Sequence, residues 1–206
     1  MRGLPTRLVP FIACTLGAAA LACGTTAPVQ RTTVAATPAL TGYVLAYSAT
    51  NGAFRTWFGN ADPIVGDNDV NVFGETMRGV IAFALPPLPA GTTLRGATLD
   101  IAQCQVSGAP FATLGVIVAD HLVPTLAPDS ATYDTTAIAL AVATVATDST
   151  PAPAQVLLTP SVAADYAAGN TTSMFRLRFS QRDGNGDQVA DQVEFCPPTL
   201  VLTSSP

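Results

Sequence analysis

The stretch "DGNGDQVADQVE", Asp183 to Glu194, places four carboxylates and an asparagine among glycines, in a chain of which only 11% of residues are charged. Counted from Asp183, the side chains of Asp183, Asn185, Asp187 and Asp191 fall at positions 1, 3, 5 and 9. The carbonyl of Val189 falls at position 7 and Glu194 at position 12. Calcium takes six to eight hard oxygens in flexible geometry, and alternating side chains plus one carbonyl can wrap such an ion. Carboxylates this dense also repel one another unless a cation intervenes. Calcium is therefore the expected cofactor. The alternative is an Asx- and Gly-rich hairpin tip kept soluble by its acids.

The spacing is that of an EF-hand loop with one departure. Gln188 stands where that loop has a glycine, and a left-handed conformation there would cost a side-chain-bearing residue about 1–2 kcal/mol. Strands rather than helices are expected on both sides, so the loop is closer to the DxNxDxxxD calcium turns of extracellular proteins. In that comparison Asp183, Asn185, Asp187 and Asp191 are the firmer ligands.

Other chemistry is thinner. Asp62, Asp67, Asp69 and Glu75 match no metal-loop spacing and read as a solvated turn, or as a second metal site if that segment folds against the first. His121 is the one histidine. It lies near the end of a predicted strand with Asp120 on the opposite face, and no GxSxG elbow accompanies it, so a structural role is expected. A carboxylate pair for glycoside hydrolysis would meet only in the fold. Trp57 could be a stacking platform for sugar rings, although core packing is the commoner fate of a tryptophan. Arg176, Arg178 and Arg182 share one face of a predicted strand, where pairing with acids of neighbouring strands is favoured over binding an acidic polymer.

The elements that must position these groups are mostly strands. "GYVLAY", "FRTWF", "MRGVIAFAL", "LGVIVADHLV" and "PTLVLT" are short, apolar or aromatic, and bounded by turn formers. "TTLRGATLDIAQCQV" alternates, with an irregularity near Gly96, and "MFRLRF" alternates cleanly. One helix is expected in "TPSVAADYAAG", with Thr159 capping, Pro160 in the first turn, Gly169 terminating, and Val162 and Tyr166 facing inward. Many short strands and one short helix predict an all-β antiparallel sandwich.

The N-terminus carries Arg2 and Arg7 before an apolar run too short for a comfortable membrane span, which is the layout of an export signal. Its end, Ala20-Leu21-Ala22-Cys23, resembles the lipobox of bacterial lipoproteins, with Ala20 where that family prefers Leu. The resemblance implies cleavage after residue 22, lipid on Cys23, and a place in the bacterial envelope at the outer membrane or cell surface. Cys14 leaves with the signal. Cys104 and Cys196 then remain in an exported domain and are expected to form a disulfide. Residues 23–40 read as a flexible tether and 41–206 as the domain. From Cys23 onward all fourteen acids but only seven basic residues remain, every one an Arg, for a net charge near −7. That balance argues against nucleic acid and against electrostatic binding of the body to anionic membrane, and leaves the lipid as the membrane link.

Taken together, "MRGVIAFALPPLPAGTTLRGATLDI", "VSGAPFATLGVIVADHL", "SVAADYAAGNTTSMFRLRF" and "PTLVLT" resemble the DNRLRE-type modules. These are secreted bacterial jelly-roll sandwiches related to some carbohydrate-binding modules. The resemblance implies a jelly-roll-like fold and a non-catalytic binding or scaffolding module, with polysaccharide as candidate partner. The other readings are a carbohydrate-active hydrolase using surface carboxylates and a purely structural surface protein.

Overall fold

The computed structural model describes residues 28–47, 53–59, 62–68, 74–125 and 127–206. Cys23 and Asp69 lie outside them. The described strands are β1 (Gln30–Ala35), β2 (Gly42–Tyr47), β3 (Ala53–Phe58), β4 (Ile64–Asn68), β5 (Glu75–Ala84), β6 (Thr93–Ile101), β7 (Gln103–Ser107), β8 (Ile117–Leu122), β9 (Ala139–Ala146), β10 (Ala154–Leu157), β11 (Thr172–Phe179), β12 (Gln192–Phe195) and β13 (Thr199–Ser205). All pair antiparallel. The smaller sheet runs β1-β13-β6-β10, and the larger runs β7-β12-β4-β5-β11-β8-β9 with β2 and β3 attached to β5. This is the all-β sandwich expected from the sequence.

The main core lies between the sheets. Phe83, Phe175, Phe179, Phe195, Leu99, Ile117 and Leu200 are buried there, and each contributes about 1.5–3 kcal/mol relative to exposure. A second cluster, Val44, Val80, Ala82, Leu122 and Met174, lies on the other face of the larger sheet. It is roofed by Tyr133, from a 3-10 turn at Ser130–Tyr133. The irregularity expected near Gly96 is present, since the β6–β13 register shifts between Thr203 and Ser204, which face Gly96 and Leu94.

Three expectations are corrected. The tether is shorter than residues 23–40, because Gln30–Ala35 pairs with β13 and Pro38–Leu40 forms a 3-10 turn. The helix at Thr159–Ala167, α2, is joined by a four-residue helix, α1, at Pro110–Thr113. Thr159 does not cap α2. Its Oγ1 instead accepts the Ala97 N–H at 2.9 Å, tying the helix to β6. Pro160 does open α2, Val162 is buried, and Gly169 follows it at φ 74°.

Candidate functional site

The acidic loop between β11 and β12 is tied into the fold at both ends. Asp183 Oδ2 accepts from Arg78 Nη2 at 2.6 Å and Nε at 3.1 Å. Arg78 lies over the Tyr133 ring at 4.1 Å and donates to the Tyr133 carbonyl and to Asp134. Burial alone would weaken the guanidinium's hold on its proton, but Asp183, together with Tyr133 and Asp134, outweighs it and raises the Arg78 pKa. Burial, then the Asp183 charge, push the Tyr133 hydroxyl up to about 12. At the other end Asp191 is buried, its Oδ1 accepting the Ala109 N–H at 2.6 Å and its Oδ2 the Thr113 hydroxyl at 2.8 Å.

Within the loop, Asn185 Nδ2 donates to Asp187 and Asp191, and Asx turns form at Asn185 and Asp187. Gln188 has φ 66°, the left-handed conformation its position implied. The Arg78 guanidinium and several N–H groups thus engage the acids whose density argued for a cation.

Asp67 corrects the reading of the second acidic patch. It is wholly buried rather than part of a solvated turn. Its Oδ1 accepts the Asp191 N–H at 3.0 Å and its Oδ2 the Asn185 N–H at 2.9 Å, so this segment does fold against the loop. Gly66 permits the approach, because a Cβ there would overlap the Asp191 carbonyl. Among the described residues, no three His, Cys, Asp or Glu side chains converge closely enough to hold a metal ion. One loop oxygen, Asp183 Oδ1, is buried without a hydrogen-bond partner. The residue at position 12, Glu194, is raised in pKa by burial and by the neighbouring charge of Asp62.

Arg176 and Arg178 pair with a strand acid, as expected. Both donate to Asp120, which is fully buried between them and also accepts the Ala141 N–H. Burial opposes ionisation of Asp120, but the hydrogen bonds from Arg178, Ala141 and Arg176 prevail and hold its pKa below the usual range. The clean alternation of "MFRLRF" concealed that Arg176 is buried, because the segment carrying Tyr133 and Thr135 covers it. Arg182 instead donates to the Thr113 carbonyl.

His121 faces away from Asp120, as the strand period required. Its Nε2 meets Asp165 Oδ2 of α2 at 2.9 Å, and its ring stacks on Phe175. Ser173 donates to the same Asp165 oxygen at 2.6 Å. Serine and histidine therefore share a carboxylate, which is not the order of a Ser–His–Asp relay, where the histidine must accept from the serine. Sequence reasoning missed Asp165. A charged residue on a predicted helix normally reads as solvent-facing, and only its burial beside β8 and β11 gives it this role.

The fourth feature is a shelf on β2 and β3. Tyr43 and Trp57 face each other across the strands with ring centroids 5.1 Å apart and planes 13° from parallel. Both are partly exposed, and Trp57 belongs to neither core cluster, so the core packing favoured for it is not found. The Tyr43 pKa is raised by burial and by the charges of Glu194 and Glu75. Glu194 in turn is raised by burial and by Asp62. The charges of residues from both acidic segments thus reach Tyr43, which their separation in sequence concealed.

Cys104 and Cys196 form the expected disulfide, with Cα atoms 5.2 Å apart. Comparison with protein-family models and with curated proteins finds no match.

Proposed function

We propose that this chain is a lipid-anchored module of the bacterial envelope that binds polysaccharide on the Tyr43–Trp57 shelf without cleaving it. The near-parallel, partly exposed pair of rings carries the reading. Sugar rings present flat C–H faces that stack on aromatic faces, and neighbouring carboxylates accept sugar hydroxyls. Glu194 and Asp62 supply such acceptors. The Asp62 charge, after burial, raises the Glu194 pKa. The buried groups Asp120, Asp165 and His121, and the half-buried Asp183, are each held by protein partners, which favours a scaffold.

Calcium is proposed as a stabiliser of the loop, through Asp183, Asn185, Asp187 and the Val189 carbonyl. The left-handed Gln188 and the unpartnered Asp183 Oδ1 support it. Asp191 is buried with both oxygens engaged by groups outside the loop, and is left out of the set, while Glu194 stays a candidate ligand. Cys23 supplies the lipid.

Affinity electrophoresis against a panel of neutral, acidic and amino-sugar polysaccharides tests the reading. Trp57→Ala is expected to weaken binding about tenfold, the equivalent of about 1.4 kcal/mol of lost stacking. Cleavage of a bound polysaccharide, abolished by Glu194→Gln, would replace this reading with that of a hydrolase.

A further inference from the structure

The corrected tether has a geometric consequence, which rests on the lipid-anchor reading above. Pairing with β13 begins at Gln30, so six residues, 24–29, separate Cys23 from the folded body. Fully extended, the chain from Cys23 to Gln30 reaches at most roughly 25 Å. A domain of this size has a radius of gyration of about 15 Å, hence a diameter of about 40 Å. The anchor is shorter than the body it holds, so the domain cannot turn its far pole to the membrane.

The register identifies the near pole. Gln30 faces Ser204, and Ser204 and Ser205 face Leu94 and Thr93, so the first turns of β1 and β6 and the last turn of β13 share one end. Val29, at the point where the chain leaves, is 67% exposed. Arg31 and Arg95 are exposed at this end, and Arg95 is held by Ser205 Oγ at 2.8 Å and the Pro206 carbonyl at 3.0 Å. The one acid of these three strands, Asp100, lies at their opposite end, level with Thr199. The acidic loop is farther still. β6 passes into β7 through Ala102 alone, too short a link to reverse the chain, so Ser107 lies on the far side of Ile101 from Thr93, and Ser107 pairs with Gln192 beside Asp191.

We propose that the domain stands on the lipid surface by its β1–β13–β6 end, with Val29, Arg31 and Arg95 against anionic headgroups and the 183–191 loop at the outer pole. The short anchor sets the orientation, and the two arginines give this end a local positive charge that the acidic body as a whole does not have.

The test uses full-length lipidated protein in vesicles of phosphatidylcholine with and without phosphatidylglycerol. Thr93→Cys and Val189→Cys are labelled separately with a fluorophore, and quenching by headgroup-labelled lipid is measured. The Thr93 label is expected to be quenched at least fivefold more than the Val189 label. Inserting twenty Gly/Ser residues after Pro28 is expected to abolish most of the difference, and Arg31→Glu with Arg95→Glu to reduce Thr93 quenching only on the anionic vesicles. Equal quenching of the two labels overturns the orientation, and indifference to the arginine changes overturns the headgroup contact. Detergent-phase partition, compared with Cys23→Ala, separates the two levels. Wild-type protein that stays in the aqueous phase removes the anchor and the orientation together. Protein that partitions but shows equal quenching removes the orientation alone.

Discussion

Arg178 grips Asp120 side-on, with Nε 2.8 Å from Oδ2 and Nη2 3.1 Å from Oδ1. Arg176 meets the same carboxylate from the neighbouring position on its strand, 2.8 Å from Oδ2. One acid thus serves two guanidinium groups beneath the Tyr133 roof. Removing the acid would leave both beside a buried site with no counter-charge. Asp120→Asn is expected to destabilise the domain by about 3–5 kcal/mol, the range for breaking a buried pair from one side. A loss of stability below about 1 kcal/mol in denaturant unfolding would contradict it.

The same carboxylate, with Asp165, fixes a pH dependence. Both have pKa values lower in the folded chain than their ordinary range. Their stabilisation is therefore complete above the unfolded carboxylate value near 4 and is lost as pH falls through the lower folded values. The melting midpoint should hold from neutrality to about pH 5 and drop steeply below about pH 4. Asp120→Asn should flatten that drop.

Gln188 occupies a left-handed backbone with a side chain attached. Gln188→Gly removes a strain of about 1–2 kcal/mol and adds some freedom to the unfolded chain, for a net gain of about 0.5–1 kcal/mol. Thermal unfolding should shift upward by about 1–4 °C. An unchanged or lower midpoint would show that the loop tolerates this conformation without strain.

Calcium should raise the melting midpoint modestly, because Arg78, Asp67 and the loop amides already close the turn without it. Titration against EGTA-treated protein should give a rise that grows with the logarithm of calcium concentration. Asp187→Asn should remove it. A midpoint that does not respond to calcium would reduce the loop to a purely protein-held turn.

The disulfide closes a separation of 92 residues. By the loop-closure argument Cys104→Ser with Cys196→Ser should lose about 4 kcal/mol. Reduction of the wild type should reproduce the shift.

How far the sequence disclosed this architecture depends on which faces of a strand are covered. β5, β8, β11 and β13 carry apolar runs or strict alternation and were legible. β1, "QRTTVA", is almost wholly exposed at a sheet edge, so nothing in its pattern distinguished it from a tether. β4 and β12 are short and embedded in acids, and read as parts of loops. The role of Asp67 was hidden for the same reason. Its partners, Asn185 and Asp191, lie more than a hundred residues away, and only the β4–β12 pairing brings them together. The Tyr43–Trp57 register, likewise, follows from a hairpin whose two strands were recognised but whose pairing offset was not.

The placement of β1 also matters mechanically. A pull arriving at Gln30 from outside runs along the strand axis, across six registered pairs from Gln30–Ser204 to Ala35–Thr199. Those pairs then carry tension side by side, in shear, rather than opening one after another like a zip. Beyond them the Thr37 N–H donates to the Ala82 carbonyl of β5, in the larger sheet. Load that outlasts the first ladder is handed to the other half of the sandwich.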